Sequence, residues 1–281
     1  MTAKPPSKKM PVIDVLSLFP DSVRAVFDSS ILKRAQSKDL IELMSTDLRR
    51  FADDKHRSVD DTPFGGQQGM LFKAEVLEKA LEAQLAAVGG DRTKLKVIYP
   101  HPRGLELSQP VVQALADSIA SGETERMVMI CGRYEGIDER IVDLWVDLEL
   151  SLGDFILTGG ELPALVVTDA IVRLLPGVLG DSRSAENESF SNALLEHPQY
   201  TKPREFRGIS VPSALVGGNH AQAEQWKLRE SLLLTAAFRP DLIRTHNGHG
   251  LPAWARDLLE RLQKRLDLRG ECPLTESHPR S

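Results

Sequence analysis

GRYEGIDERIVDLWVDLELSLGDFILTGGELPALVVTDAIVRLLPGVLG, residues 132–180, is where the chain stops alternating long strands with helices. Short apolar pieces there are separated by glycine turns, as in GRYEGIDER and SLGDFILTGGELP. Glycine loops at strand ends bring backbone N–H and C=O groups close to a ligand, which suits a nucleoside read by main-chain hydrogen bonds. Within this stretch Pro163 is placed at a first helical position, and a helix is predicted from there to about Leu175.

Working outward toward the N-terminus, Val12 to Phe19 is an apolar run ended by Pro20 and reads as a buried strand. Ser22 to Gln36 follows with helical spacing at Val23, Val26, Phe27, Ile31 and Leu32, and Leu40 to Met44 is a second strand. This βαβ opening predicts a parallel sheet with its ligand site at the strand ends. Asp53 to Met70 has no periodicity and is dense in charge and glycine, so it reads as a long functional loop. Alternation resumes with a helix from Phe72 to Val88, a strand Lys96 to Tyr99 closed by Pro100 and Pro102, a helix Val111 to Ser121 and a strand Met127 to Cys131. The fold class is therefore α/β.

Toward the C-terminus, GDSRSAENESF at 180–190 is polar and nearly devoid of apolar residues, as a linker is. Gln222 to Ala237 and Pro252 to Leu268 have helical character. The predicted organisation is a flexible tail over residues 1–10, a main domain over 11–180, a linker over 181–196 and a small, mainly α-helical domain over 197–281.

Composition bounds the function. At 281 residues the chain has room for about two domains. The basic N-terminus followed by an apolar run resembles a secretory leader, but Asp14 and Ser17 interrupt that run and no small-residue cleavage site follows. No apolar stretch approaches the ~18 residues that span a bilayer. Cys131 and Cys272 cannot form a disulfide framework or a four-ligand zinc site. A reduced, cytoplasmic protein without a membrane partner is expected.

The net charge of −5 conceals an asymmetry: residues 201–281 carry 13 Lys/Arg against 9 Asp/Glu, or +4, leaving 22 against 31, or −9, for residues 1–200. A basic C-terminal part on an acidic body is compatible with RNA. The dinucleotide fingerprint G-x-G-x-x-G, the P-loop, H-E-x-x-H, G-x-S-x-G and C-x-x-C are all absent.

Six strings in order now carry a resemblance: DDTPFGGQQGM (60–70), GRYEGIDER (132–140), SLGDFILTGGELPA (151–164), LPGVLG (175–180), LLEHPQYTKP (194–203) and GGNHAQAEQW (217–226). Together they resemble the bacterial tRNA (guanine-N1)-methyltransferases that modify guanine 37 beside the anticodon, members of the trefoil-knot methyltransferase class. The resemblance extends from Val12 to about Leu242. It implies a deep trefoil knot, otherwise essentially absent from proteins, in which the chain threads through itself between Pro100–Gly104 and Gly159–Gly160. The knot would form an S-adenosylmethionine pocket touching Pro100, Pro102, Gly132, Gly136, Leu152, Phe155, Leu157, Gly159, Gly160 and Pro163. It also implies a homodimer, the anticodon arm of tRNA as partner and a magnesium requirement, although no motif shows a metal site.

Methylating guanine N1 needs a base for its proton and positive charge near O6. The resemblance places the cation on Arg173, which also stands four residues beyond Asp169 in ordinary ion-pair spacing. It places the base on Glu188, where the family has aspartate. Glu186 is an alternative, and so is a plain solvated role for Glu188. Asp60 is implied in guanine recognition, though a loop aspartate is otherwise a turn cap. Glu135 and Asp154 are implied as active-site carboxylates, Asp154 facing either the donor's amino end or a magnesium ion. Gly69, Tyr200, His220, Lys227 and Arg229 are implied in tRNA contact, the last three on or near a helix face that a solvated reading also explains. Phe64 and Phe155 replace tyrosines, Gln67 and Gln68 stand in a glycine-richer loop, and Gln199 replaces a histidine. A catalytically weak RNA-binding protein, or a knotted methyltransferase acting on ribose 2′-OH or ribosomal RNA, are the competing readings.

Overall fold

The computed structural model describes residues 9–66, 68–179, 189–190 and 193–269. The chain divides into two compact units, residues 1–182 and 183–281. The first is built on five parallel strands, β1 (Val12–Ser17), β2 (Glu42–Asp47), β5 (Leu95–Glu106), β6 (Arg126–Ile130) and β7 (Leu148–Ser151), in the order β2-β1-β6-β5-β7. Helices cover both faces, as parallel sheets require, α4 (Gln109–Ser121) burying Val112 and Leu115 on one of them. Ile13, Val15, Ile98, Met127, Met129 and Cys131 point to the face that buries Val167 and Ile171 of α6 (Glu161–Val172). Leu16, Val97, Tyr99, Val128 and Ile130 point to the face packed by Val76, Leu77, Ala80 and Leu81 of α3 (Ala74–Ala87). The α/β reading with a parallel sheet is borne out.

Several elements differ from expectation. The helix predicted over 22–36 is two, α1 (Pro20–Phe27) and α2 (Ser30–Ser37). Ser29 between them is extended, and its Oγ donates to the Val26 carbonyl at 2.7 Å, competing with the helical ladder. The loop expected over 53–70 contains a two-residue strand, β3 (Asp60–Asp61), paired antiparallel with β4 (Leu71–Phe72). Between β6 and β7 lies α5 (Glu139–Trp145); neither it nor β7 was anticipated, since seven- and four-residue elements are too short to show a period.

The strand expected to stop at Tyr99 runs on through both prolines to Glu106. Its register explains why. β5 pairs with β6 only from Leu95 to Ile98, so past that point it has one neighbour, β7, and a missing N–H leaves no ladder bond broken on the other side. The pairing with β7 then jumps from Pro100↔Leu150 to Leu105↔Leu150, which bulges residues 101–104 out of the ladder. Pro163 is not the first helical residue: α6 starts at Glu161 after Gly160, two residues earlier. Its missing N–H still falls among the first four, which have no intrahelical partner. The helix ends at Val172, so Arg173 is its C-terminal cap.

The second unit holds a short hairpin (Glu205–Phe206 with Ile209–Ser210) and helices Ser213–Val216, His220–Phe238, Pro240–Thr245 and Ala253–Arg269. Leu194, Leu232, Ile243, Ala255 and Leu259 form its core. It is mainly α-helical, as read; the hairpin was not foreseen. No described helix is long and apolar enough to cross a membrane.

One buried charge in the sheet is independent of any site. Asp14 of β1 is fully buried and accepts from Thr46 Oγ1 and Gln84 Nε2, each at 2.9 Å, with Arg126 Nη2 at 3.4 Å. Its Oδ1 has no partner among the described residues. Burial raises its pKa above the ordinary 3.8, against the lowering by Thr46, Arg126 and Gln84. An acid with a raised folded pKa binds more protons folded than unfolded, so its contribution to stability falls as pH rises above 3.8 and levels off once the folded carboxyl is ionised. Urea denaturation of wild type and Asp14→Asn across about pH 4 to 8 should therefore show the variant gaining on wild type with rising pH, then a constant difference; a difference flat over the whole range would show that burial does not control this group.

Candidate active site

A cleft of about 250 Å3 opens at the C-terminal ends of β5, β6 and β7, with residues 152–160 as its far wall. That is where an open parallel sheet places a ligand. The wall approaches β6 closely because Gly160 has no side chain: a Cβ there would lie 2.7 Å from Cys131 Cα and 2.9 Å from the Gly132 nitrogen. In its place, the Gly160 N–H donates to the Gly132 carbonyl at 2.9 Å.

All ten residues expected to touch a nucleoside line this one cleft: Pro100, Pro102, Gly132, Gly136, Leu152, Phe155, Leu157, Gly159, Gly160 and Pro163. Proline, leucine and phenylalanine surfaces provide apolar walls, and the glycines place no side chain between them, with the main-chain N–H and C=O of Gly136 and Gly160 already bonded within the protein. The arrangement fits a flat aromatic base with polar edges. Tyr99 and His101, also in the lining, stack with ring centroids 5.1 Å apart. Burial, followed by the charge of Glu149, pushes the Tyr99 hydroxyl up to about 12, so it stays a neutral donor.

Glu135 belongs to the lining. Its N–H donates to the Met70 carbonyl at 3.0 Å, and Gly69, at φ +104°, presses on its side chain: a Cβ on Gly69 would meet Glu135 Oε1 at 2.5 Å. Phe72 N–H donates to the Gly136 carbonyl at 3.1 Å, and Asp60 is the strand partner of Phe72. The hairpin carrying Asp60 and the loop carrying Gly69 are thus docked on the segment that carries Glu135. Asp61, not Asp60, takes the turn-capping bond, from Thr62 N–H at 2.8 Å.

The other expected residues are placed apart from this lining. Asp154 is exposed, between the lining residues Gly153 and Phe155. Arg173 is half-buried at the end of α6, one helix length from the cleft wall, and its N–H bonds to the Asp169 carbonyl at 3.1 Å. Glu188 and Glu186 lie outside the described residues. In the second unit the Tyr200 ring sits 6.1 Å from that of Trp226, His220 opens the helix capped by Asn219, Lys227 pairs with Glu224 at 2.8 Å and Arg229 with Glu230 at 3.2 Å. No group of three or more His, Cys, Asp or Glu side chains that could hold a metal ion occurs among the described residues.

Sequence reasoning missed Tyr99, His101 and Arg133 of the lining, and Ser17 and Glu161 behind it. A serine inside an apolar strand and a glutamate opening an apolar helix were the available signals.

Residues 11–245 match the family described as tRNA (Guanine-1)-methyltransferase TrmD. Among curated proteins, the chain is similar to the tRNA (guanine-N(1)-)-methyltransferase of Geotalea uraniireducens (strain Rf4), 48% identical over 251 residues, covering 89% of this chain and 96% of that one. It is 44% identical to that of Desulforudis audaxviator (strain MP104C) over 255 residues, 91% and 97% of the two chains. With that of Dehalococcoides mccartyi it shares 48% over 231 residues, 82% and 90%.

Backbone atoms, not flexible side-chain ends, would meet a side chain at position 160. Gly160→Ala should therefore cost roughly 1–3 kcal/mol in urea denaturation, and unchanged stability would show that the wall can retreat from β6.

Proposed function

Since the chain belongs to the tRNA (guanine-1)-methyltransferase family, we propose that it methylates N1 of guanine 37 in tRNA, beside the anticodon, with S-adenosylmethionine as donor. The observation that carries the reading is the convergence of all ten expected donor-binding residues on one cleft, with the Asp60 hairpin and Gly69 docked on the Glu135 segment beside it. The donor supplies its methyl group as an electrophilic sulfonium. Glu188 removes the N1 proton, so that the lone pair of N1 forms the new bond to carbon as the carbon–sulfur bond breaks. Arg173 meets the negative charge that develops on guanine O6. Asp60 accepts from the N2 amino group and orients the base while Glu188 takes the N1 proton. Glutamate carries the base on one methylene more than aspartate does, a displacement of about an ångström.

The trefoil knot belongs to the same proposal. Its support is the packing of Gly160 on the backbone of Cys131 and Gly132, and of Gly104 on that of Glu149 and Leu150, at positions where a Cβ has no room. A homodimer is supported by α6. That helix is apolar nearly all round, yet Leu162 and Val166 are 58% and 48% exposed, and a second copy would cover them. In this dimer the partner's linker delivers the base, and the basic C-terminal part, including Tyr200, His220, Lys227 and Arg229, holds the anticodon arm. The enzyme would work in the cytoplasm, where tRNA is matured.

Labelled S-adenosylmethionine and a tRNA transcript, followed by nuclease mapping, should place the label on guanine 37; a label on a ribose, on another nucleotide or nowhere would overturn the reading. Arg173→Ala should lower kcat by roughly 10²–10³-fold and Glu188→Ala by roughly 10²–10⁴-fold, with Glu188→Asp active. Mixing the two inactive variants after dissociation should restore roughly a quarter of wild-type activity, because half the reassociated dimers are mixed and each has one intact site of two. A mixture that stays inactive would place both residues of each site in one subunit.

A further inference from the structure

Behind the cleft wall lies a closed circuit of polar groups to which the reaction above assigns no role. Glu161, the first residue of α6, is 6% exposed. Its Oε1 accepts from Ser17 Oγ at 2.7 Å and from Arg133 Nε at 3.3 Å, and Arg133 Nη2 lies 2.9 Å from its Oε2. Oε2 has no hydrogen-bond partner among the described residues, so the Nη2 contact is an ion pair and the directional bond of the pair is the one from Nε. Arg133 Nη1 then donates to the Thr158 carbonyl at 3.3 Å, and the guanidinium carbon stands 4.3 Å from the centre of the Phe19 ring. Ser17 Oγ also accepts from Phe19 N–H at 2.8 Å, which fixes the turn that carries the ring. One arginine is thus held by the end of β1 and the start of α6, and it holds the carbonyl of a residue in the cleft wall.

Gly159 closes the arrangement. A Cβ there would lie 2.5 Å from Arg133 Nε and 2.7 Å from Glu161 Oε2, so the wall backbone runs directly over the ion pair, whose carboxylate is buried while the arginine side chain stays 25% exposed. Burying a carboxylate and a guanidinium is costly, and a well-packed apolar pair would often be at least as stable. What an apolar pair cannot do is take hold of a carbonyl. Among the described residues, the wall from Thr158 to Gly160 is tied to the strand ends by two hydrogen bonds, Gly160 N–H to the Gly132 carbonyl and Arg133 Nη1 to the Thr158 carbonyl.

We propose that Glu161 and Arg133 are positioning residues for donor binding: the pair sets the wall at Thr158–Gly160 in the geometry that the methyl donor requires, with Ser17 and Phe19 orienting the pair. The proposal rests on the reading that this cleft takes S-adenosylmethionine. In this reading the pair acts through the Thr158 carbonyl and the wall backbone, not on the reacting atoms, so disturbing it weakens donor binding and leaves the chemical step nearly intact.

The test uses the full chain and S-adenosylmethionine itself as probe. Calorimetric titration of wild type, Glu161→Gln and Arg133→Lys should show the donor Kd raised on the order of ten- to a hundredfold in both variants. The KM for the donor should rise in step, with kcat at saturating donor kept within a few-fold and tRNA affinity unchanged. Ser17→Ala, which removes one bond and no charge, should shift Kd in the same direction by less, and it serves where the charged variants fold poorly. A pair that merely stabilised the fold would lower the melting temperature or the active fraction and leave donor Kd and KM where they were; that result would overturn the proposal. Wild type that fails to bind the donor at all would instead overturn the assignment of the cleft, and this inference with it.

Discussion

The close approach of the Gly159–Gly160 backbone to the end of β6 is the constraint on which the rest of the first unit depends. At that distance the wall hydrogen bonds to Gly132, and α6 begins immediately beneath the sheet. Starting there, the helix buries Ala164, Val167 and Ile171 against the strands while its first residue, Glu161, faces β1 and Arg133. A single Cβ on Gly160 would push the wall outward, and the helix start, the ion pair and the cleft would all have to move with it. The glycine is thus required by contact between backbones, not by a turn: its φ of −78° is open to any residue.

The edge of the sheet complements this constraint. β5 can carry Pro100 and Pro102 into the cleft only because β6 stops pairing with it after Ile98. The freed stretch bulges, and Arg103 in the bulge bonds to Glu149 of β7 at 2.7 Å and to Glu139 of α5 at 2.6 Å. Those carboxylates hold the guanidinium even more firmly protonated than usual. Two rigid prolines and a fixed bulge give the cleft a near side that needs no ligand to shape it, which lowers the ordering cost of binding.

The alternation of strands and helices was legible up to Cys131, because the strands there are buried on both faces and read as apolar runs. Beyond it, legibility fell away for two physical reasons. β7 and α5 are too short for periodicity, and β5 continues through residues that local preference assigns to a break, since tertiary pairing decides where a proline is tolerated. That the glycine stretch holds a ligand was legible from its spacing, but which residues meet that ligand was legible only through the family resemblance. Glycine spacing alone marks turns and does not say which glycine faces a backbone and which faces a ligand. The polar circuit around Arg133 was hidden because its members come from positions 17, 19, 133, 158 and 161, and only the fold brings them together.

Two of the residues that interrupt the apolar run of β1 turn out to be the informative ones. A strand buried on both faces has no structural use for a carboxylate or a hydroxyl, and each must find partners or incur the cost of desolvation. Asp14 points to the α3 layer and is met there by Gln84 and Arg126; Ser17, three residues on, points to the opposite layer and is met by Glu161. Asp14 lies in the middle of the strand, where its Oδ1 has no partner among the described residues, and Ser17 lies at the strand end, where its hydroxyl both donates to Glu161 and accepts from Phe19 N–H. The difference lies in position along the strand: polar groups at the C-terminal end of a parallel strand lie beside the ligand site, and those in its middle do not. On that ground Ser17 belongs with the cleft and Asp14 with the stability of the sheet, although both look alike as breaks in a hydrophobic run.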